Sequence, residues 1–187
     1  YRVKSQRGVQ FRMWATAILK EFMKKGFVLD DDRLKNLGGG NYFDELLERI
    51  RDIRSSEKVF WRKVLDIYAT SVDYSASAEE SVLFFKTVQN KMLYAATGMT
   101  AAELVSGRAN ALLPMMGMTV IKGKRPTLAE AKTAKNYLNE DELGTLNRLV
   151  SAYLDLAELQ AMRKKPMYMK DWIARLDDYL RMTDSEV

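Results

Sequence analysis

The chain has 187 residues, no cysteine and no histidine, with 30 basic and 25 acidic residues giving a formal net charge of +5. The missing Cys and His exclude disulfides, thiol nucleophiles, histidine triads and bases, and the usual zinc sites, leaving Asp/Glu, Lys, Tyr and Ser for any catalysis. The length suits one domain burying roughly 70% of its unfolded surface. The short, charge-interrupted apolar runs exclude a spanning helix, and the basic, amphipathic amino end is not a signal peptide, so the expectation is a cytoplasmic protein without a membrane partner.

The charge is uneven. Residues 1–25 carry Arg2, Lys4, Arg7, Arg12, Lys20, Lys24 and Lys25 against Glu21 alone, while the remaining chain holds 23 basic and 24 acidic residues. Residues 5–25 read as a helix with Val9/Phe11, Trp14, Ile18 and Phe22 along it, Phe27 beyond it, and Gly26 as its stop. Basic residues occupy much of the other face, which is either an ordinary solvated surface or one directed at phosphate. Tyr1 in place of Met, followed at once by a basic run, suggests a piece of a longer protein.

Leu29–Leu37 reads as a short helix after Asp30-Asp31-Asp32, where one carboxylate caps and the others favour the positive helix end. Gly38-Gly39-Gly40 is a turn and not a phosphate loop, since no apolar strand precedes it and no Lys-Ser/Thr follows. Asn41 caps a helix with Phe43, Leu46/Leu47, Ile50 and Ile53 inward. Ser55-Ser56-Glu57 bends or restarts it, and Phe60/Trp61, Val64/Leu65, Tyr68 and Val72 continue the stripe. Glu45, Glu48 and Asp52 share a face that could hold a metal, but Glu45–Arg49 and Glu48–Arg51 are spaced for ordinary ion pairs, so no metal is expected.

The stretch from Ser77 to Arg108 specifies its local structure most fully. Ser77 and Glu80 form a reciprocal capping box for a helix over 78–96, with Val82, Phe85, Val88, Met92 and Ala95/Ala96 facing a core. Gly98 ends that helix in a left-handed conformation, and Thr100 with Glu103 caps the next one. Residues 109–126 then form the longest non-helical segment. Its Leu112, Leu113, Met115, Met116, Met118, Val120 and Ile121 are too apolar for a solvated loop, so they cover the core or meet a partner. Lys122, Lys124 and Arg125 make a cationic turn around Gly123. Thr127 and Glu130 cap a helix predicted to reach Leu138. Asn139 and Glu142 open a long helix to about Lys164 with Leu143, Leu146, Leu149/Val150, Tyr153/Leu154 and Ala157 inward. Pro166 breaks the chain before a last helix over 169–181 carrying Trp172/Ile173, Leu176 and Tyr179/Leu180.

The runs YRVKSQRGVQFRMWA, KGFVLDDDRLKN, YFDELLERIRDIRSSEKVFWRKVLDIYATSVDY, FFKTVQNKM, TAAELV, GKRPT, AKNYLNEDEL and KPMYMKDWIARLDDYL cover most of the chain. On these runs it resembles the RhuM-type virulence-protein family of bacterial pathogenicity islands and other mobile elements. The resemblance implies the helical carboxy-terminal part of a longer protein, preceded by a helix-turn-helix DNA-binding module that would attach at residues 1–25. It also implies histidines in relatives at positions held here by Leu93, Thr97 and Met99, which makes the central turn of this chain structural.

The expected fold is all-α, a single domain over 1–187 made of about seven helices with one long apolar connecting segment. The expected function is oligomerisation or partner binding in a DNA-associated regulator from a mobile element, with no catalytic residue, cofactor or metal. Arg2, Lys4, Arg7, Arg12, Lys122, Lys124 and Arg125 are the candidate nucleic-acid contacts. Leu112, Met115, Met116 and Met118 are the candidate partner contacts, with a second copy of the chain as the expected partner. The alternative is a toxin-like enzyme acting on nucleic acid or nucleotides, which needs a cleft where two or more carboxylates converge with a cation such as Arg108 or Lys122.

Overall fold

A computed structural model describes residues 5–36, 41–73 and 78–183. Among these the chain is helical with no strand: α1 Gln6–Lys25, α2 Asp31–Asn36, α3 Asn41–Ser55, α4 Glu57–Tyr68, α5 Ala78–Thr97, α6 Ala101–Arg108, α7 Leu128–Ala131, α8 Glu140–Met162 and α9 Met169–Met182. Two 3-10 turns, Pro114–Gly117 and Ala134–Tyr137, interrupt the later half. The all-α expectation holds, with more and shorter helices than the sequence suggested. The chain falls into two compact units, Tyr1–Leu47 and Glu48–Val187.

In the first unit, Ser5 caps α1 by accepting from the Gly8 N–H at 3.1 Å, and Gly26 closes it at φ 80°. Asp30 caps α2 by accepting from Arg33 N at 3.0 Å. Both ends are where local chemistry puts them.

The second unit carries the core. Its central helix, α8, buries Leu146, Leu149, Val150, Tyr153, Leu154 and Ala157 and packs against α4, α5 and α9. α5 contributes Phe84, Phe85, Val88, Met92 and Leu93, α4 gives Phe60, Val64 and Ile67, and α9 gives Trp172, Leu176 and Leu180. Phe60 and Phe85 stack tilted with centroids 5.6 Å apart, a favourable aromatic geometry. The inner faces predicted for α8 and α9 are the observed ones.

Several predicted features are corrected. Phe43, Ile50, Ile53, Val72 and Val82 are exposed rather than inward; among the described residues α3 is buried only at its end, at Ser55, and α5 only from Phe84 onward. The chain does restart at Ser56, where the hydroxyl donates to Ile53 O and α4 begins. The helix predicted for 127–138 stops at Ala131. Thr133 Oγ1 donates to Ala129 O, Asn136 Nδ2 to Glu130 O and Tyr137 OH to Ala131 O, so side chains satisfy carbonyls that a longer helix would have used. The apolar segment after α6 folds over this break: Thr119 donates through its N–H to Asn136 O at 2.7 Å and through its hydroxyl to Leu138 O at 2.9 Å. The Ser77/Glu80 box and the Gly38–Gly40 turn lie outside the described residues, as do the side chains of Trp61 and Tyr68.

Candidate functional site

Of the predicted nucleic-acid contacts, Arg2 and Lys4 lie outside the described residues, and Arg7 and Arg12 sit on α1. Arg12, Thr16 and Lys20 follow at four-residue spacing and line a shallow groove with Met13 and Ala17. Lys24 continues that line, roughly 160° around the helix from the stripe of Phe11, Trp14, Ile18 and Phe22. Arg12, Lys20 and Lys24 thus lie away from the aromatic stripe, whereas Arg7 and Lys25 fall on its own side of the helix. None of its residues is buried, and Phe11, Trp14 and Phe22 are 62%, 61% and 56% exposed.

The second cationic group is placed by one carboxylate. Glu130 accepts from the backbone N–H of Lys122 at 2.8 Å and from Thr127 through both its N–H and its hydroxyl, closing the predicted capping box while holding the turn. These bonds, with the nearby Lys122 charge, lower the Glu130 carboxyl to about 2. Lys122, Lys124 and Arg125 themselves are exposed. Sequence spacing supplied the box, but the Lys122 bond is a tertiary contact that no local pattern encodes.

The predicted partner residues divide. Leu112 is 93% exposed and Met115 43%, Met116 packs partly against the core, and Met118 is 3% exposed. Met118 therefore belongs to the core and leaves the partner set. The division follows from the turn at Pro114–Gly117, where Met115 and Met116 take left-handed φ values of 53° and 59°, so neither helical nor strand periodicity applies.

Arg108, the cation invoked for an enzyme, is engaged in holding the fold. It makes a bidentate pair with Glu142, 2.6 Å on each arm, and donates to Tyr137 O at 2.8 Å. Glu142 also accepts from Asn139 N at 3.0 Å as the box residue of α8, so one carboxylate joins α6, the turn before α8 and α8 itself. The Arg108 hydrogen bonds lower the Glu142 carboxyl below its ordinary 4.5. A group depressed on folding contributes stability above its unfolded value and loses it as pH falls. Arg108→Gln is expected to cost about 1–2 kcal/mol near neutral pH, a charge-assisted bond discounted for partial exposure. The gap between wild type and variant should narrow as pH drops below 4.5; urea midpoints taken across that range test it, and a gap independent of pH would contradict the pairing.

A broad cleft beside α3 and α8 brings Glu48, Asp52, Glu140 and Asp141 together with Arg49, Arg51 and Arg148. Glu48 pairs with Arg148 at 3.8 Å rather than with a neighbour on its own helix. Among the described residues no group of three or more Asp/Glu is arranged to hold a metal. No described helix is long and apolar enough to cross a membrane.

These features define an all-helical domain with a cationic amino-terminal helix and a core free of His and Cys chemistry. The chain belongs to the Virulence protein RhuM family, whose model matches residues 1–187. No curated protein and no solved structure matches it.

Proposed function

We propose that this chain is the self-associating part of a DNA-associated, virulence-related regulator carried on a mobile element, and that it works in the cytoplasm. The observation that carries the reading is α1: twenty residues with none buried, an aromatic stripe on one side and a cationic line on the other. Helices in proteins owe most of their stability to packing of an amphipathic face, so a helix with this stripe is completed by a partner. A second copy supplies the same stripe, and two such helices pair through Phe11, Trp14, Ile18 and Phe22. Pairing leaves the exposed Lys20 and Lys24 facing outward, where phosphates would release counterions. Leu112 and Met115 give a further apolar contact in the second unit.

Light scattering on the purified chain should report a dimer or higher assembly, and Trp14→Glu with Phe22→Glu should convert it to monomer while far-UV ellipticity beyond α1 is kept. In DNA binding, Lys20→Gln with Lys24→Gln should lower the slope of log K against log salt by about one for each phosphate that is no longer neutralised. A monomer at every concentration, with no salt-dependent affinity for duplex DNA, would overturn the reading.

A further inference from the structure

A hollow of about 260 Å³ lies in the second unit, between the end of α3, α4, α5, the start of α6, the 134–137 turn and α8. Phe60, Met92, Leu93, Leu146 and Val150 line it, and all five are buried core residues. Its main wall is therefore hydrocarbon, ring and thioether, along which water finds few partners. A benzene ring occupies an apolar cavity of about 150 Å³. In proportion this one takes about ten non-hydrogen atoms, the size of two fused rings.

Polar side chains complete the lining: Ser55, Gln89, Asn90, Thr133 and Lys135. Three of these are bonded within the fold. The Ser55 hydroxyl donates to Asn147 Oδ1 at 2.5 Å, the Thr133 hydroxyl to Ala129 O at 2.9 Å, and Lys135 Nζ to the Ser55 carbonyl oxygen at 3.3 Å. Gln89 and Asn90 add two amides, each with two donor positions and an acceptor. Being neutral and able both to give and to take a hydrogen bond, they suit an uncharged polar group. An ion would instead surrender hydration against the hydrocarbon wall. An apolar pocket with a few convergent polar groups is the usual form of a small-molecule site. A flat guest gains here what an alkyl chain does not: the Phe60 ring, tilted against Phe85 with centroids 5.6 Å apart, and the Met92 thioether both favour an aromatic neighbour.

We propose that this hollow is a binding site for an uncharged bicyclic aromatic molecule carrying one hydrogen-bond donor, of which indole is the simplest example. Its rings lie against Phe60, Met92, Leu93, Leu146 and Val150, and its N–H donates to the side-chain carbonyl of Gln89 or Asn90. The guest bridges α4, α5 and α8, so binding stabilises their packing by mass action. The site is separate from self-association through α1, and neither requires the other.

The test titrates the whole chain with indole, 1-methylindole, 1-octanol and tryptamine, reading heat of binding and the thermal midpoint. Indole should bind and raise the midpoint. The methylated ring system lacks the donor and should bind about fivefold more weakly, the loss of one neutral hydrogen bond. Octanol, of similar size but without a ring, and tryptamine, which is cationic, should each bind at least about tenfold more weakly than indole. Gln89→Met with Asn90→Met should weaken indole about fivefold and leave 1-methylindole unchanged, an outcome that simple loss of folding cannot produce. Leu93→Trp, which fills the hollow, should abolish binding of both. No response to indole, equal affinity for indole and 1-octanol, indole binding unchanged in the amide variant, or binding that survives Leu93→Trp in a folded protein would each overturn the proposal.

Discussion

Trp172→Ala should lower stability by about 4 kcal/mol, within the range for deleting a large buried aromatic, and reduce the thermal midpoint by roughly 8–16 °C for a protein of this size. The indole is 1% exposed and sits on α9 where that helix meets α5 and α8. Its Nε1–H donates to Ser71 Oγ at 3.0 Å in a buried setting. Val72 N donates to Met167 O at 2.9 Å and Met169 N to Asp73 Oδ1 at 2.8 Å, so the indole bond is one of three links tying the chain after α4 to the start of α9. Trp172→Phe separates the two contributions. It keeps most of the apolar volume but leaves the Ser71 hydroxyl without its donor, so it should cost about 2 kcal/mol. Urea denaturation followed by far-UV circular dichroism measures both; a Phe variant as stable as wild type would show that the Ser71 bond contributes nothing.

Features that a few neighbouring residues determine were legible in the sequence. The boxes at Thr100/Glu103, Thr127/Glu130 and Asn139/Glu142 are all present, as are the left-handed stops at Gly26 and Gly98. Each depends on side chains three residues apart or on one residue without a Cβ, so local chemistry suffices. The buried faces of α8 and α9 were legible for a related reason: their apolar period is sustained over several turns and both are packed on more than one side. α3 shows the limit. Its apolar residues keep a helical period, yet Phe43, Ile50 and Ile53 remain exposed, because a period shows which residues share a face and not whether anything covers it. The break after Ala131 was hidden because the capping box and apolar period continue past it, while the side chains of Thr133, Asn136 and Tyr137 take the carbonyls of Ala129, Glu130 and Ala131 and Thr119 bonds the segment beyond from outside it.

The sites divide along the same line. Charge counting located the cationic edge of α1, which is a property of contiguous sequence. It could not show that Arg108 is bound to Glu142, since neither position carries a local signal for the other. Nor could it show the hollow that Phe60, Met92, Leu93, Leu146 and Val150 line: each of them, read alone, is an ordinary core position, and only the packing of separate helices leaves space between them. The Met-rich segment was ambiguous in sequence because Met suits both a core and an adaptable surface; two consecutive left-handed residues put Met118 on one side of that choice and Leu112 on the other.

That same turn gives the second large effect, an expected destabilisation of about 3 kcal/mol for Gly117→Ala. Two penalties act at the position. Its φ of 80° lies where an L-residue is strained, and a Cβ built there would stand 2.5 Å from the Arg108 carbonyl oxygen. That neighbour is backbone at the end of α6, held by the Asn110 N–H bond to Met116 O at 3.1 Å across the turn and by the Arg108–Glu142 pair beside it, so it cannot yield as a flexible side chain would. Gly26 provides the control: it has the same φ of 80° but nothing within 4 Å of its Cβ position. Gly26→Ala should therefore cost about 1 kcal/mol, the conformational penalty alone. The difference between the variants, read from urea midpoints at constant slope, isolates the steric part. Equal destabilisation at the two glycines would mean that the turn shifts away from α6 at no cost. In that case Met118 should become exposed in the alanine variant, since the same turn delivers it to the core.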